Sequence, residues 1–310
     1  VRILVTGVSG FVGARLVPRL ARDGHELRGL ARDPGRVALE LPVVRGDVVG
    51  GDGLKDALDG IDVAYYLIHA LEPASDGAGA GGFPARERAG AERFAAAARA
   101  AGVRRIVYLG GLVPHDAPPS PHLASRLAVE RTLMDAVSGS VALRASIVVG
   151  AGSRSFRLLV RLLERLPLVP LPPWRARRTQ PIDERDVIEA LARAATSETA
   201  AGRSLDVAGP EVVSYGELIE RIRDALLIRR PLLALPPRTP APAAVTSRLA
   251  AAVAGERPEL VGPLMAGLAS DLLPRANAAS AVLGVRLHAL DAAIEHALRA
   301  WERHQPLAAR

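Results

Sequence analysis

Cysteine is absent from the 310 residues, which excludes disulfides, thiolate metal sites and cysteine nucleophiles. Aromatic residues reach only 3% while hydrophobic residues make up 49%, so a sizeable core has to be assembled from Ala, Val and Leu. Lysine occurs once, at Lys55, and the rest of the 40 basic residues are arginines, set against 33 acids for a net charge of +7. Nucleic-acid binding needs a basic stripe with stacking rings; here the arginines are spread along the chain with few rings beside them, so no nucleic-acid partner is expected. No unbroken apolar run has the length that spans a bilayer, and no internal repeat is present. The sequence opens directly on a strand without room for a leader, so a cytoplasmic protein is expected. Its length suits one compact domain with an appended lobe, or two domains.

What is present is concentrated first at the start of the chain, Val1-Arg-Ile-Leu-Val-Thr-Gly-Val-Ser-Gly-Phe-Val-Gly13. Residues 1–5 form an apolar run of strand length, and Gly7, Gly10 and Gly13 follow in G-x-x-G-x-x-G spacing. An amphipathic stretch with Leu16, Val17 and Leu20 begins at once. A strand that turns through glycines into a helix aims unpaired N–H groups and the positive helix end at one point, which is where a pyrophosphate sits.

Further along, strands are expected at Glu26–Ala31, Leu41–Val44, Val63–Ile68, Ile106–Leu109 and Ala142–Val149. Helices are expected at Leu54–Leu58, Arg86–Ala101 and from Ser120-Pro121 to Ala136, with a glycine-rich loop at Gly77–Gly82. This alternation is the signature of an α/β, doubly wound parallel sheet. Beyond Gly150 the texture changes: helices at Phe156–Leu166, Tyr215–Leu227 and Asp291–Trp301, and one strand at Ser204–Val207 returning to the sheet. Residues 229–275 mix Pro, Ala and Leu without clear strands, and should fold over an apolar cleft or form a subunit interface. Arg157, Arg161 and Arg165 read as a solvated stripe. Trp174-Arg175 with Arg177 and Arg178 reads either as a substrate mouth or as a plain turn.

The end of the second strand reads the adenosine ribose, and a carboxylate there suits NAD. Ala31-Arg32 stands there instead, with Arg36 a turn further on, and a guanidinium complements a 2′-phosphate. NADP(H) is therefore expected over NAD(H). Asp33 begins the turn Asp33-Pro34-Gly35 and should cap it; Asp47 either hydrogen-bonds the adenine or is a turn aspartate.

These motifs resemble the short-chain dehydrogenase/reductase superfamily, in its extended and atypical branches. Thr6-Gly-Val-Ser-Gly-Phe-Val-Gly13 is similar to the T-G-x-x-G-F-x-G phosphate loop. Gly46-Asp47-Val48, Val103-Arg-Arg-Ile-Val-Tyr-Leu109, Leu143-Arg-Ala-Ser-Ile-Val-Val-Gly150, Gln180-Pro-Ile-Asp-Glu-Arg-Asp186 and Val207-Ala-Gly-Pro-Glu-Val-Val-Ser-Tyr-Gly-Glu-Leu218 follow in order. Tyr65-Tyr-Leu-Ile-His-Ala70, Tyr108-Leu-Gly-Gly-Leu112 and Ser155-Phe156 look like an uncharacterised atypical subgroup. The resemblance implies a Rossmann domain over residues 1–150, joined by strand 204–207, and a small C-terminal substrate lobe over 151–310. The expected cofactor-binding set is Gly7, Ser9, Gly10, Phe11, Val12, Gly13, Arg32, Arg36, Asp47, Val48, Leu67 and Arg126.

The departures fall on the chemistry. The superfamily's Tyr-x-x-x-Lys is matched here by His122-Leu-Ala-Ser-Arg126, and Gly110 and Gly111 stand where a Ser or Thr would end the fifth strand. His122 and Arg126 lie one helical turn apart on one face. Arg126 and the helix N-terminus would keep the imidazole neutral, a hydrogen-bond donor more than a proton source. His122 is thus a candidate catalytic residue or a first-turn surface histidine, with His69 as the alternative acid. No histidine pair has metal-ligand spacing, and no metal is expected. The expected function is NADP(H)-dependent reduction of a small apolar carbonyl or enone by a monomer or homodimer without a membrane span. The alternatives are a non-catalytic NADP(H) sensor or assembly factor, and a sugar-nucleotide epimerase.

Overall fold

The computed structural model describes residues 1–68, 82–236, 243–276 and 278–307; His69 and most of the loop expected at Gly77–Gly82 lie outside the described residues. The strands are β1 (Arg2–Thr6), β2 (Glu26–Ala31), β3 (Val43–Arg45), β4 (Val63–Tyr66), β5 (Arg105–Gly111), β6 (Val141–Ala145), β7 (Val148–Val149), β8 (Val169–Leu171), β9 (Arg178–Thr179), β10 (Ile182–Asp183), β11 (Ser204–Val207), β12 (Val213–Ser214) and β13 (Leu232–Ala234). The helices are α1 (Gly13–Arg22), α2 (Leu54–Leu58), α3 (Phe83–Ala100), α4 (Pro121–Ala136), α5 (Arg154–Arg165), α6 (Glu184–Ala194), α7 (Tyr215–Ala225), α8 (Ala243–Ala254), α9 (Pro258–Gly267), α10 (Ala278–Leu283) and α11 (Leu290–Glu302).

Side chains alternate across a strand, and that alternation builds two layers on one sheet. Ile3, Val5, Tyr65, Val107 and Leu143 face a core completed by Leu16, Val17 and Leu20 of α1 and Val187 and Leu191 of α6. Leu4, Ala64, Tyr66, Ile106 and Tyr108 face the other way, onto Leu58 of α2, Phe94 of α3 and Val129 and Leu133 of α4. Seven strands, all parallel, run in the order β11-β6-β5-β4-β1-β2-β3. The order reverses between β1 and β4, so a crevice opens there beyond the strands' carboxyl ends, as in a Rossmann sheet. A further core joins Phe156, Val160 and Leu163 of α5 to Leu218 and Ile222 of α7 and Ile294, Leu298 and Trp301 of α11.

Several elements differ from the sequence reading. The strand expected over Ala142–Val149 divides: the chain leaves the main sheet after Ala145, and Val148–Val149 pairs with β10 instead. Helix α6 was not anticipated, although its buried Tyr65 partner donates a phenolic hydrogen bond to Leu191 O at 2.8 Å. Residues 229–275 contain helices α8 and α9 and the short strand β13, which pairs with β8. Of the three arginines read as a solvated stripe, Arg165 is exposed, whereas Arg157 and Arg161 are half-buried. Arg157 and Arg161 lie 5.0 and 4.9 Å from the Trp301 ring centre, and Arg161 also donates to Glu164 at 2.7 Å. Arg165 donates to Val253 O at 2.7 Å. Among the described residues no helix is long and apolar enough to cross a membrane.

Candidate functional site

The glycine loop closes on itself. Gly10 N–H donates to Gly7 O at 2.9 Å, and Gly7 takes φ +64°, a left-handed conformation suited to glycine. A Cβ on Gly13 would meet Gly7 O at 2.3 Å, and one on Gly7 would meet Leu67 O at 2.9 Å. Thr6, fully buried, holds the crevice open at a fixed width: its Oγ1 donates to Tyr65 O at 2.8 Å and accepts from Leu67 N–H at 3.1 Å. No side chain caps α1 among the described residues, so the helix end presents backbone to the crevice. Such a cradle fits a pyrophosphate.

Phe11 forms the floor of the loop. Its ring stacks under the Arg15 guanidinium at 4.5 Å and packs so closely on the loop after β7 that a Cβ on Gly152 would meet it at 2.4 Å. Arg15 also pairs with Glu184 at 3.2 Å, tying α1 to α6, and burial pushes the Glu184 carboxyl upward.

Just past β2, Arg32 and Arg36 are exposed and line the same cavity as the glycine loop. Asp33 Oδ1 accepts from Gly35 N–H at 3.1 Å, so this carboxylate caps the 3-10 turn Pro34–Arg36. Asp47 Oδ1 accepts from Val49 N–H at 3.2 Å; it is a turn aspartate that also lines the cavity beside Val48.

Helix α4 starts at Ser120, whose side chain accepts from Leu123 N–H at 3.3 Å, and carries His122 in its first turn. His122 is largely buried, not an exposed first-turn residue: burial first, and the Arg126 cation second, push its pKa down to about 4. Arg126 is 8% exposed and firmly held. It donates to Glu87 Oε1 and Ile68 O, both at 3.3 Å, and to Leu109 O, and its guanidinium lies 4.8 Å from the Tyr108 ring centre. Glu87, 3% exposed, also accepts from Ser125 Oγ at 2.7 Å. Neither Glu87 nor Ser125 carries a sequence signal, because nothing in their spacing shows that α3 and α4 face each other. Tyr108 donates to Arg126 O at 3.1 Å, and burial pushes its phenol upward. A Cβ on Gly110 would come within 3.0 Å of that ring, so the missing hydroxyl residue and the Tyr108 ring compete for one space.

One cavity of about 1380 Å³ gathers these groups. Its lining includes Gly7, Ser9, Gly10, Phe11, Val12, Gly13, Arg32, Arg36, Asp47, Val48, Leu67, His122 and Arg126, that is, the whole candidate set except His69. The same lining includes an apolar set, with leucines of α5, Val253 of α8, Met265 of α9 and Leu268 and Leu272, and it also includes Arg86 and Arg154. Trp174 lines it as well, its ring edge-on to Tyr215 at 6.2 Å, whereas Arg178 turns away to pair with Asp271 at 2.9 Å. Among the described residues no group of His, Asp and Glu side chains is arranged to hold a metal ion.

A parallel seven-stranded sheet with a glycine cradle at its switch point defines a Rossmann fold. Residues 7–148, just under half of the chain, match a family model described as NAD(P)H-binding. A 3 beta-hydroxysteroid dehydrogenase/Delta 5→4-isomerase of Mycobacterium tuberculosis is 35% identical over 113 residues, which are 34% of this chain and only 30% of that one. A ceramide reductase of Caulobacter vibrioides is 31% identical over 173 residues, 54% of this chain and 53% of its own. The chain thus spans 30% and 53% of these relatives' own lengths. In fold, it superposes on a UDP-glucose 4-epimerase of Thermotoga maritima with a TM-score of 0.71, at 13% identity over 98% of this chain and 99% of the other.

Proposed function

We propose that the protein is an NADP(H)-dependent reductase of an apolar carbonyl or enone compound. The observation that carries this reading is the single cavity, which runs from the glycine loop and Arg32, past His122, into an apolar compartment. The residues present fit the dinucleotide: the loop Gly7–Gly13 and the start of α1 would hold the pyrophosphate, and Arg32 and Arg36 the 2′-phosphate. When bound, the nicotinamide supplies a hydride. The chain itself supplies position, a donor and a dry wall. His122, neutral at pH 7, donates a hydrogen bond to the substrate carbonyl. Arg126, held by Glu87 and two backbone carbonyls, keeps a fixed positive charge beside it. The leucines of α5 exclude water, and orientation against the cofactor contributes much of the rate.

Oxidation of NADPH by a panel of apolar ketones and enones tests the reading. The second reading, a non-catalytic NADP(H)-responsive protein, is favoured by one observation, the Tyr108 ring beside Gly110 where a catalytic hydroxyl would need room. NADPH binding without turnover of any member of the panel would select it. An apolar compartment disfavours a sugar nucleotide as substrate.

A further inference from the structure

Two features of the cavity go beyond an apolar substrate and describe its shape. Among the described lining residues of α5, α7, α8 and α9 the one charged side chain is Arg154, in the first turn of α5; Tyr215 and Trp174 bring polar atoms, and burial pushes the Tyr215 phenol up to about 12. The lining is also linear. Leu158, Leu159 and Leu162 follow one face of α5 and Leu166 stands at its C-cap, so the stripe from Leu158 to Leu166 rises about 12 Å at roughly 1.5 Å per residue.

The stripe is closed along its side and open at one lip. Leu158 and Leu162 pack against Ala251 and Ala254 of α8 and Val261 and Met265 of α9. Leu168 and Leu249, which also line the cavity, are 41% and 62% exposed. Large aliphatic side chains left in water at the lip of a leucine-lined channel suit an amphiphile whose tail slides in. A saturated chain, with C–C bonds near 1.5 Å at about 111°, advances about 1.25 Å per carbon, so the stripe matches about ten carbons.

We propose that the leucine channel between α5, α8 and α9 takes the straight alkyl tail of the substrate, so that the carbonyl compound is a medium-chain lipid-like ketone or enone. The proposal rests on the reductase reading for the carbonyl but not for the tail. Its test separates the two. Straight-chain primary alcohols of increasing length are used to displace anilinonaphthalene sulfonate from the full chain saturated with NADP⁺, with no turnover needed. Affinity should rise three- to fourfold per methylene, as ~0.8 kcal/mol of burial gives, and level off near about ten carbons. Leu162→Trp, which fills the middle of the stripe, should move the break to shorter chains. Leu249→Arg, at the exposed lip, should weaken every long alcohol while leaving the circular dichroism spectrum unchanged.

Affinity that ignores chain length, or climbs without a break in both wild type and Leu162→Trp, overturns the channel. A length break without NADPH oxidation by any methyl ketone keeps the channel and overturns the reductase reading. Turnover of short ketones with no gain from longer tails does the reverse.

Discussion

On the proposed reading, single residues decide which nucleotide and which chemistry the crevice admits. Arg32 stands at the end of β2 where a carboxylate would favour the unphosphorylated ribose. Arg32→Ala is expected to weaken NADPH binding about tenfold, ~1.5 kcal/mol at the low end for a charge-assisted bond because the site is exposed, with NADH nearly unchanged. Titration calorimetry with both nucleotides checks this, and equal wild-type affinities would refute it. His122 makes a pH prediction whose sign follows from burial. Its pKa falls to about 4 in the folded protein from an ordinary 6.5, so the unfolded chain binds the extra proton between those values. The stability it contributes is complete above pH 6.5 and is lost as the pH falls toward 4. His122→Gln should flatten that part of a urea-unfolding profile and leave the neutral range alone. If the imidazole donates to the carbonyl, His122→Ala should also slow hydride transfer by about 10²–10⁴ without changing NADPH affinity.

At the scale of elements, the join between α3 and α4 is what fixes the cation of the site. Glu87 and Arg126 form a buried pair, and removing one partner leaves the other charged in a poorly solvated place. Glu87→Ala should cost about 3–5 kcal/mol in chemical denaturation, most of it absent from an Arg126→Met/Glu87→Leu double variant. The same elements show what was legible in the chain. Strand β2, helix α2 and strand β11 fall where local pattern puts them, and α4 starts at its Ser120-Pro121 signal, because short-range signals of cap, turn and alternation suffice there. Helices α8 and α9 escaped because apolar residues dominate both and their few polar residues mark no helical face, with Gly262 and Pro263 inside α9 reading as breakers. The break after Ala145 escaped because Ser146-Ile147 continues an apolar run, and only the pairing of β7 with β10 draws the chain off the sheet. Of the candidate site, the tight loop from Gly7 to Gly13 was readable from glycine spacing. The grip on Arg126 was not, since Glu87 belongs to a different helix.

On the scale of the whole molecule, a layered nucleotide fold and a leucine-walled lobe share one interior. Val253, Met265 and Leu268 form the outer wall of that interior, so α8 and α9 should lose hydrogen exchange when NADP⁺ and a long-chain alcohol are both added. Mass-spectrometric exchange at two protein concentrations separates this from a subunit interface. Slowing that depends on protein concentration alone would mean that these helices meet a second copy instead.

The contact of Phe11 with Gly150 and Gly152 joins two stretches far apart in the chain, with room for no extra carbon at either glycine. Their inheritance is therefore coupled. A lineage that enlarged position 152 would first have to trim the ring at position 11, which lies in the glycine loop, so position 152 cannot drift in sequence independently of that loop.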